Sequence, residues 1–208
     1  MANHVYFTIS LDGLDEGQFE KHLATVKGKR KDYDGNEYEF EALDEIENQP
    51  YMSKVEKSFD KDGYLEGAYD WYCDNVGAKW CTIEECESDY ISGYSAWRQP
   101  HELVLNILEF YANEYDKEVE AVMTYEDEFR NFLGKQYYGV SQDHGWHAYE
   151  GDYQETDGDE LVREFEKKFG IDTSAKDFDW YDELQHEGET IYPNEEMDNL
   201  VDEFWSTT

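Results

Sequence analysis

Positive charge is what this sequence has least of. Seventeen lysines and arginines stand against 52 aspartates and glutamates over 208 residues, a formal net charge of −35. Affinity for DNA or RNA comes mainly from cationic side chains that neutralise phosphates. The balance therefore argues against direct nucleic-acid binding, and an anionic membrane surface is disfavoured for the same reason. The partners such a chain suits are basic protein surfaces or cations. Only Arg30, Arg98, Arg130 and Arg163 are arginine. A lysine-dominated basic set beside abundant aromatics also argues against a salt-adapted surface.

Cysteine is scarce too. Cys73, Cys81 and Cys86 are odd in number and too few to staple a chain of this size. No C-x-x-C pair occurs, and strand alternation places Cys81 and Cys86 on opposite faces, whereas zinc needs convergent ligands. His144 and His147 in "HGWH" lack a clear third ligand. Calcium loops fail as well: in "DKDG" (60–63) and "DYDG" (32–35) the glycine arrives fourth, where an EF-hand needs it sixth. The expectation is no metal and no cofactor.

Long apolar runs are missing, so no membrane-spanning segment is predicted. "MANHVYFTISLDG" lacks the basic and apolar regions of a signal peptide. Together these predict a cytoplasmic protein in a reducing compartment. Also absent are a Gly-x-Ser-x-Gly elbow, a glycine-rich phosphate loop and a Cys–His pairing. Paired carboxylates occur everywhere by chance among 52 acids, so a carboxylate-dependent hydrolase is kept only as a third reading. The chain is not expected to be an enzyme.

What is abundant is aromatic area, 17% of residues. Such side chains bury large surfaces, which makes a core feasible with few aliphatics and argues against disorder. Val5, Phe7, Ile9 and Leu11 alternate as a strand ending at Gly13. Leu14, Phe19 and Leu23 suggest a helix, as do Met52, Val55 and Phe59. "GAYDWYCDNVG" reads as a further helix or turn. Two strands follow around a turn at Ser88–Asp89, then a clear helix after Pro100 with a broad apolar face. "EVEAVMTYED" alternates as a strand, and a hairpin turns near 142–145. The basic knot Lys27–Lys31 reads as a loop neutralised by neighbouring acids.

The fold predicted is α+β. A ferredoxin-like βαββαβ core occupies residues 1–150, with an insertion at about 27–60. Residues 151–208 form an acidic, mainly helical extension packed on it. Three short amphipathic helices are expected there, within 158–170, 177–188 and 194–205, with Asp157 or Asp159 capping the first and Asn194 the third.

The run "WYCDNVGAKW" (71–80), the strand ending "SAWRQP" (95–100) and "YEDEFRNFLG" (125–134) resemble the Api-like family of small phage and plasmid proteins. The likeness covers about residues 70–140. Gln99 stands where the family motif has its first proline, and the motif covers neither the insertion nor the tail. The resemblance implies a ferredoxin-like fold and a phage origin, but carries over no catalytic residue. In size and acidity the chain is similar to small early proteins of T-even-type phages, some with anti-defence or antitoxin roles. Trp71, Trp80 and Trp97 match fixed points of the family, and core is favoured over a binding platform for all three.

The functional expectation follows from charge. Residues 151–208 carry a net charge of about −15. Carboxylates one helical turn apart stand about 5–6 Å from each other, a spacing able to imitate a row of phosphates. Asp157, Asp159, Glu160, Glu164, Asp179, Asp182 and Glu183 are the candidate partner-binding residues. They suit the basic surface of a host nucleic-acid-binding enzyme or toxin, which the chain would inhibit by charge mimicry. The alternative is an antitoxin or interaction protein that recognises its target by shape, with the acidity incidental.

Overall fold

A computed structural model describes residues 3–22, 26–31, 36–42, 45–87 and 89–206. In chain order the strands are β1 (His4–Asp12), β2 (Val26–Lys31), β3 (Glu37–Ala42), β4 (Cys81–Cys86), β5 (Tyr90–Ala96), β6 (Glu120–Asp127), β7 (Leu133–Gln142), β8 (Trp146–Thr156), β9 (Leu184–His186) and β10 (Glu189–Ile191). The helices are α1 (Ala68–Asn75), α2 (His101–Tyr115), α3 (Gly158–Phe169) and α4 (Pro193–Ser206). The class is α+β, as the sequence pattern predicts.

Six strands form one antiparallel sheet in the order β4-β5-β1-β6-β7-β8. The expected core had four strands; β7 and β8 continue the same sheet beyond β6. The alternation of β1 holds, with Val5, Phe7, Ile9 and Leu11 all buried. They meet Ala121, Met123 and Tyr125 of β6 and the α2 residues Leu103, Ile107, Leu108 and Tyr111 in one apolar cluster. Tyr111 carries its hydroxyl into that core and satisfies it by donating to the Phe19 carbonyl at 2.8 Å.

The opposite face is covered near β7. Leu133, Leu161, Phe165, Met197, Leu200 and Val201 make a second apolar cluster from β7, α3 and α4. Buried Lys135 donates to the Trp205 carbonyl at 2.9 Å, a cation at the negative end of the α4 dipole. The division at residue 150 falls inside β8, so the C-terminal layer begins at the α3 cap instead.

Three expected helices are not there, each for a local reason. Among the described residues 14–22 a 3-10 turn forms at Glu20–His22 in place of the helix, because Gly17 turns left-handed at φ 78°. After the 3-10 turn Pro50–Met52, Asp60 accepts the N–H groups of Asp62 and Tyr64 at 2.8 and 2.9 Å, a local turn that competes with helix. Between 177 and 188, Asp179 accepts the Tyr181 N–H at 2.9 Å. Glu187 and Gly188 follow at φ 52° and 90°, so β9 and β10 make a small hairpin. Asn194 lies inside α4, which starts at Pro193.

The segment predicted as an insertion belongs in part to the core, since Ile46, Tyr51 and Met52 are buried. The basic knot is strand rather than loop: β2 pairs with β3, placing Lys27, Lys29 and Lys31 in register with Glu41, Glu39 and Glu37. Residues 32–35, the rejected calcium-loop segment, and Ser88 of the predicted Ser88–Asp89 turn lie outside the described residues.

The tryptophans divide. Trp71 is 8% exposed, and its indole N–H donates to the Glu56 carbonyl at 2.9 Å. Trp80 is only half-buried, edge-on to His4 and Tyr94. Trp97 is not core: it sits at φ 75° just after β5, 53% exposed, with Lys79 4.9 Å from its ring centre. The left-handed turn swings its side chain off the sheet.

One carboxylate is an exception to the solvated majority. Asp127, 1% exposed, accepts from the side-chain amides of Asn3 and Asn131 at 2.7 and 2.6 Å and from the Phe132 N–H at 3.3 Å. Desolvation pushes its pKa up, but these donors outweigh it and hold the carboxyl below the usual range. Asp127 so ties the N-terminal strand to the β6–β7 turn.

Two stability predictions follow from these positions. Trp71→Ala should cost about 3–5 kcal/mol as a large core truncation; Trp97→Ala should cost only about 0.5–1, the scale of an exposed cation–π contact. Urea melts of both variants check the contrast. Asp127→Ala removes the shared acceptor of the half-buried Asn3 and exposed Asn131 amides and should cost roughly 1–2 kcal/mol at neutral pH. A depressed folded pKa stabilises above the unfolded value of about 3.9 and is lost as pH falls through the folded one. The gap between wild type and Asp127→Ala should therefore narrow below about pH 4, measured by denaturation across pH; a constant gap would contradict the assignment.

Candidate partner-binding surface

The α3 end of the C-terminal layer is built by its own acids. Asp157 caps the helix, its carboxylate accepting the Glu160 N–H at 2.8 Å. Glu160 turns back to accept from the Thr156 hydroxyl at 3.0 Å. Asp159 and Glu160 sit in the first turn and Lys167 and Lys168 in the last, each sign at the favourable end of the helix dipole. The apolar stripe Leu161–Phe165 is buried, so the helix is fixed from beneath while its acids face water.

All seven candidate carboxylates are exposed, and none makes an ion pair among the described residues. Glu160 and Glu164 share one stripe of α3 by their spacing of four, and Asp157 stands at the cap just before it. Asp179, Asp182 and Glu183 do not continue a helical row, because their segment is a turn. What the turn does instead is bring Trp180 and Tyr181 opposite Asp159.

Those residues wall a groove of about 540 Å³ between α3, α4 and the β6–β7 turn. Val162, Trp180 and Met197 are its apolar lining. Phe129 and Tyr181 also line it and are 71% and 81% exposed. At one side Arg130 bonds to Glu126 at 2.5 Å and to Asp198 at 2.6 Å, a guanidinium held by two carboxylates. Asp159 is the acid on the lining without such a cation. Sequence reading missed Phe129, Arg130, Trp180, Tyr181 and Asp198. The one available signal was an aromatic residue set inside the charged turn "EDEFRN" with no periodic partner.

A second, smaller groove of about 230 Å³ crosses the uncovered part of the sheet, lined by Tyr6, Thr8, Glu84, Ser92, Thr124 and Trp205. Beside it His4, Tyr6, Trp80 and Tyr94 make an aromatic cluster with ring centres 5.3–6.3 Å apart.

The thiols do not form a ligand set. Against the expected opposite faces, a bulge between Ile83 and Glu85 returns Cys86 to the core side, opposite Ile91, while Cys81 lies opposite Ser95. An extra residue in a strand shifts all later side chains to the other face. No group of three or more His, Cys, Asp or Glu residues converges on a metal-sized site among the described residues. His144 and His147 are exposed beside Asp143 and Glu109 respectively. No described helix is long and apolar enough to cross a membrane.

No protein-family model, curated protein or solved structure matches the chain. Function is therefore argued from geometry and charge.

Burial pushes the Cys81 thiol far above its ordinary pKa, whereas Cys73 and Cys86 are half-exposed. With the thiolate as the reactive form, a thiol reagent on native protein should modify Cys73 and Cys86 first and reach Cys81 only on unfolding. Mass-spectrometric mapping of the modified cysteines over time tests this ordering; early modification of Cys81 would contradict its placement.

Proposed function

We propose that the protein is a non-enzymatic inhibitor that binds the basic surface of a nucleic-acid-handling protein, its C-terminal carboxylates taking the place of phosphates. The partner fits the class of a host enzyme or toxin whose cationic cleft ordinarily holds nucleic acid. The observation that carries this reading is the exposure of all seven candidate carboxylates, with no ion pair among the described residues, on a layer anchored by its own apolar cluster. Surface charge for solubility alone needs far less than −35. A capped, packed helix presents its acids with little ordering entropy left to lose, which favours affinity.

The scaffold is proposed to extend a ferredoxin-like βαββαβ unit, in which β1, β4, β5 and β6 would be the four strands and α1 and α2 the two crossovers. In that order the first strand lies between the third and the fourth, as β1 lies between β5 and β6. β7 and β8 would then be additions that carry the acidic layer. A second reading, recognition by shape, is favoured by the half-exposed aromatic cluster around Tyr6 and Tyr94 on the uncovered sheet face.

Salt separates the two. If carboxylates meeting Lys and Arg carry the affinity, binding to the partner recovered from a low-salt pull-down should fall about a hundredfold between about 50 and 300 mM salt. Replacing Asp157, Asp159, Glu160, Glu164, Asp179, Asp182 and Glu183 by Asn or Gln should weaken binding progressively and leave melting intact, because Asn still caps α3. Nucleic acid should compete. A flat salt response with undiminished binding by the neutralised variant favours shape recognition.

A further inference from the structure

The acidic layer holds more than charge, and resting on the reading above, its groove specifies what a partner must insert. We infer that the groove between α3, α4 and the β6–β7 turn is the anchor point for an arginine side chain of the basic partner. Three features of the groove converge on a guanidinium.

First, its outer walls are Phe129 and Tyr181, 71% and 81% exposed. Aromatic faces open to water in this way can stack a planar cation. Second, the lining is apolar where an arginine stem would run, through Val162, Trp180 and Met197. Third, the charge is complementary. Asp159 lines the groove without an ion pair among the described residues, while Asp198 across the same groove already grips the guanidinium of Arg130 at 2.6 Å. The chain thus shows on its own arginine the contact it offers to a second one.

Arginine is favoured over lysine by the same geometry. A guanidinium stacks on a ring and forms paired bonds with a carboxylate at once, whereas an ammonium is a compact, strongly hydrated point charge. An aromatic-walled pocket at the centre of a charged surface is also where interfaces concentrate their affinity. The surrounding acids then act over distance, raising the encounter rate and excluding anionic competitors.

The test uses the full chain and two labelled peptides of equal length and charge, one with arginines and one with lysines spaced by alanines. At low salt the arginine peptide should bind several-fold more tightly. Phe129→Ala and Tyr181→Ala should each weaken it about tenfold and erase its advantage over the lysine peptide. Asp159→Asn should weaken both peptides, and Asp70→Asn on α1 should change neither. Both aromatics are exposed, so melting of the variants should match wild type and exclude unfolding as the cause. If both peptides bind with steep salt dependence, but Phe129→Ala and Tyr181→Ala bind like wild type, the groove is wrong and the charge reading stands. If neither peptide binds wild type at low salt, the charge reading fails and takes the groove with it.

Discussion

Self-repulsion among 52 carboxylates is the constraint to which the rest of this structure answers. It weakens every compact state, so apolar burial has to outweigh it, and one sheet supplies burial on both faces. β1 and α2 close the larger cluster on one side; α3 and α4 close the smaller on the other. Four of the cations lie at joints between elements. Lys57 donates to the carbonyls of Glu47 and Met52, Lys135 meets the end of α4, and Lys168 sits between Glu196 and Glu203. Arg130 ties β6 to α4. Among the described residues, cations placed as fasteners leave most acids without an ion pair.

Acids also shape the backbone. Asp157 starts a helix by accepting a free N–H, and Asp60 and Asp179 stop helices by offering a side-chain turn in their place. That dual role is why the sequence was legible in some places and misleading in others. β1, α2 and β6 were readable from apolar period, and α3 because period and cap agreed. The windows at 14–23, 51–63 and 177–188 have helical spacing of apolar residues, but left-handed glycines and aspartate turns decide the backbone there. A single bulge reversed the expected face of Cys86, and one positive φ turned Trp97 into solvent. Neither leaves a mark in periodicity.

The candidate site was legible by half. Exposure of the α3 acids follows from amphipathic spacing, which one helix contains entirely. The groove beside them needs Phe129, Asp159 and Tyr181 brought together from three segments. Their meeting depends on which part of the sheet α3 and α4 cover, and that is set by Leu133 and Lys135 of β7. Long-range assembly of this kind is carried by packing rather than by local pattern.

Salt acts in two opposite ways on the same carboxylates. Within the free protein, screening relieves repulsion between acids and favours the folded chain. At an interface with a basic partner, the same screening weakens the attraction that holds the complex. A partner that neutralises the C-terminal layer also removes the repulsion that the fold tolerates when alone, so binding and folding reinforce each other through mass action. The acids that cost the isolated chain stability are then the ones whose cost is recovered on docking. If the layer docks on a basic partner as proposed, its acids on a capped helix beside an aromatic groove stand where that recovery would act.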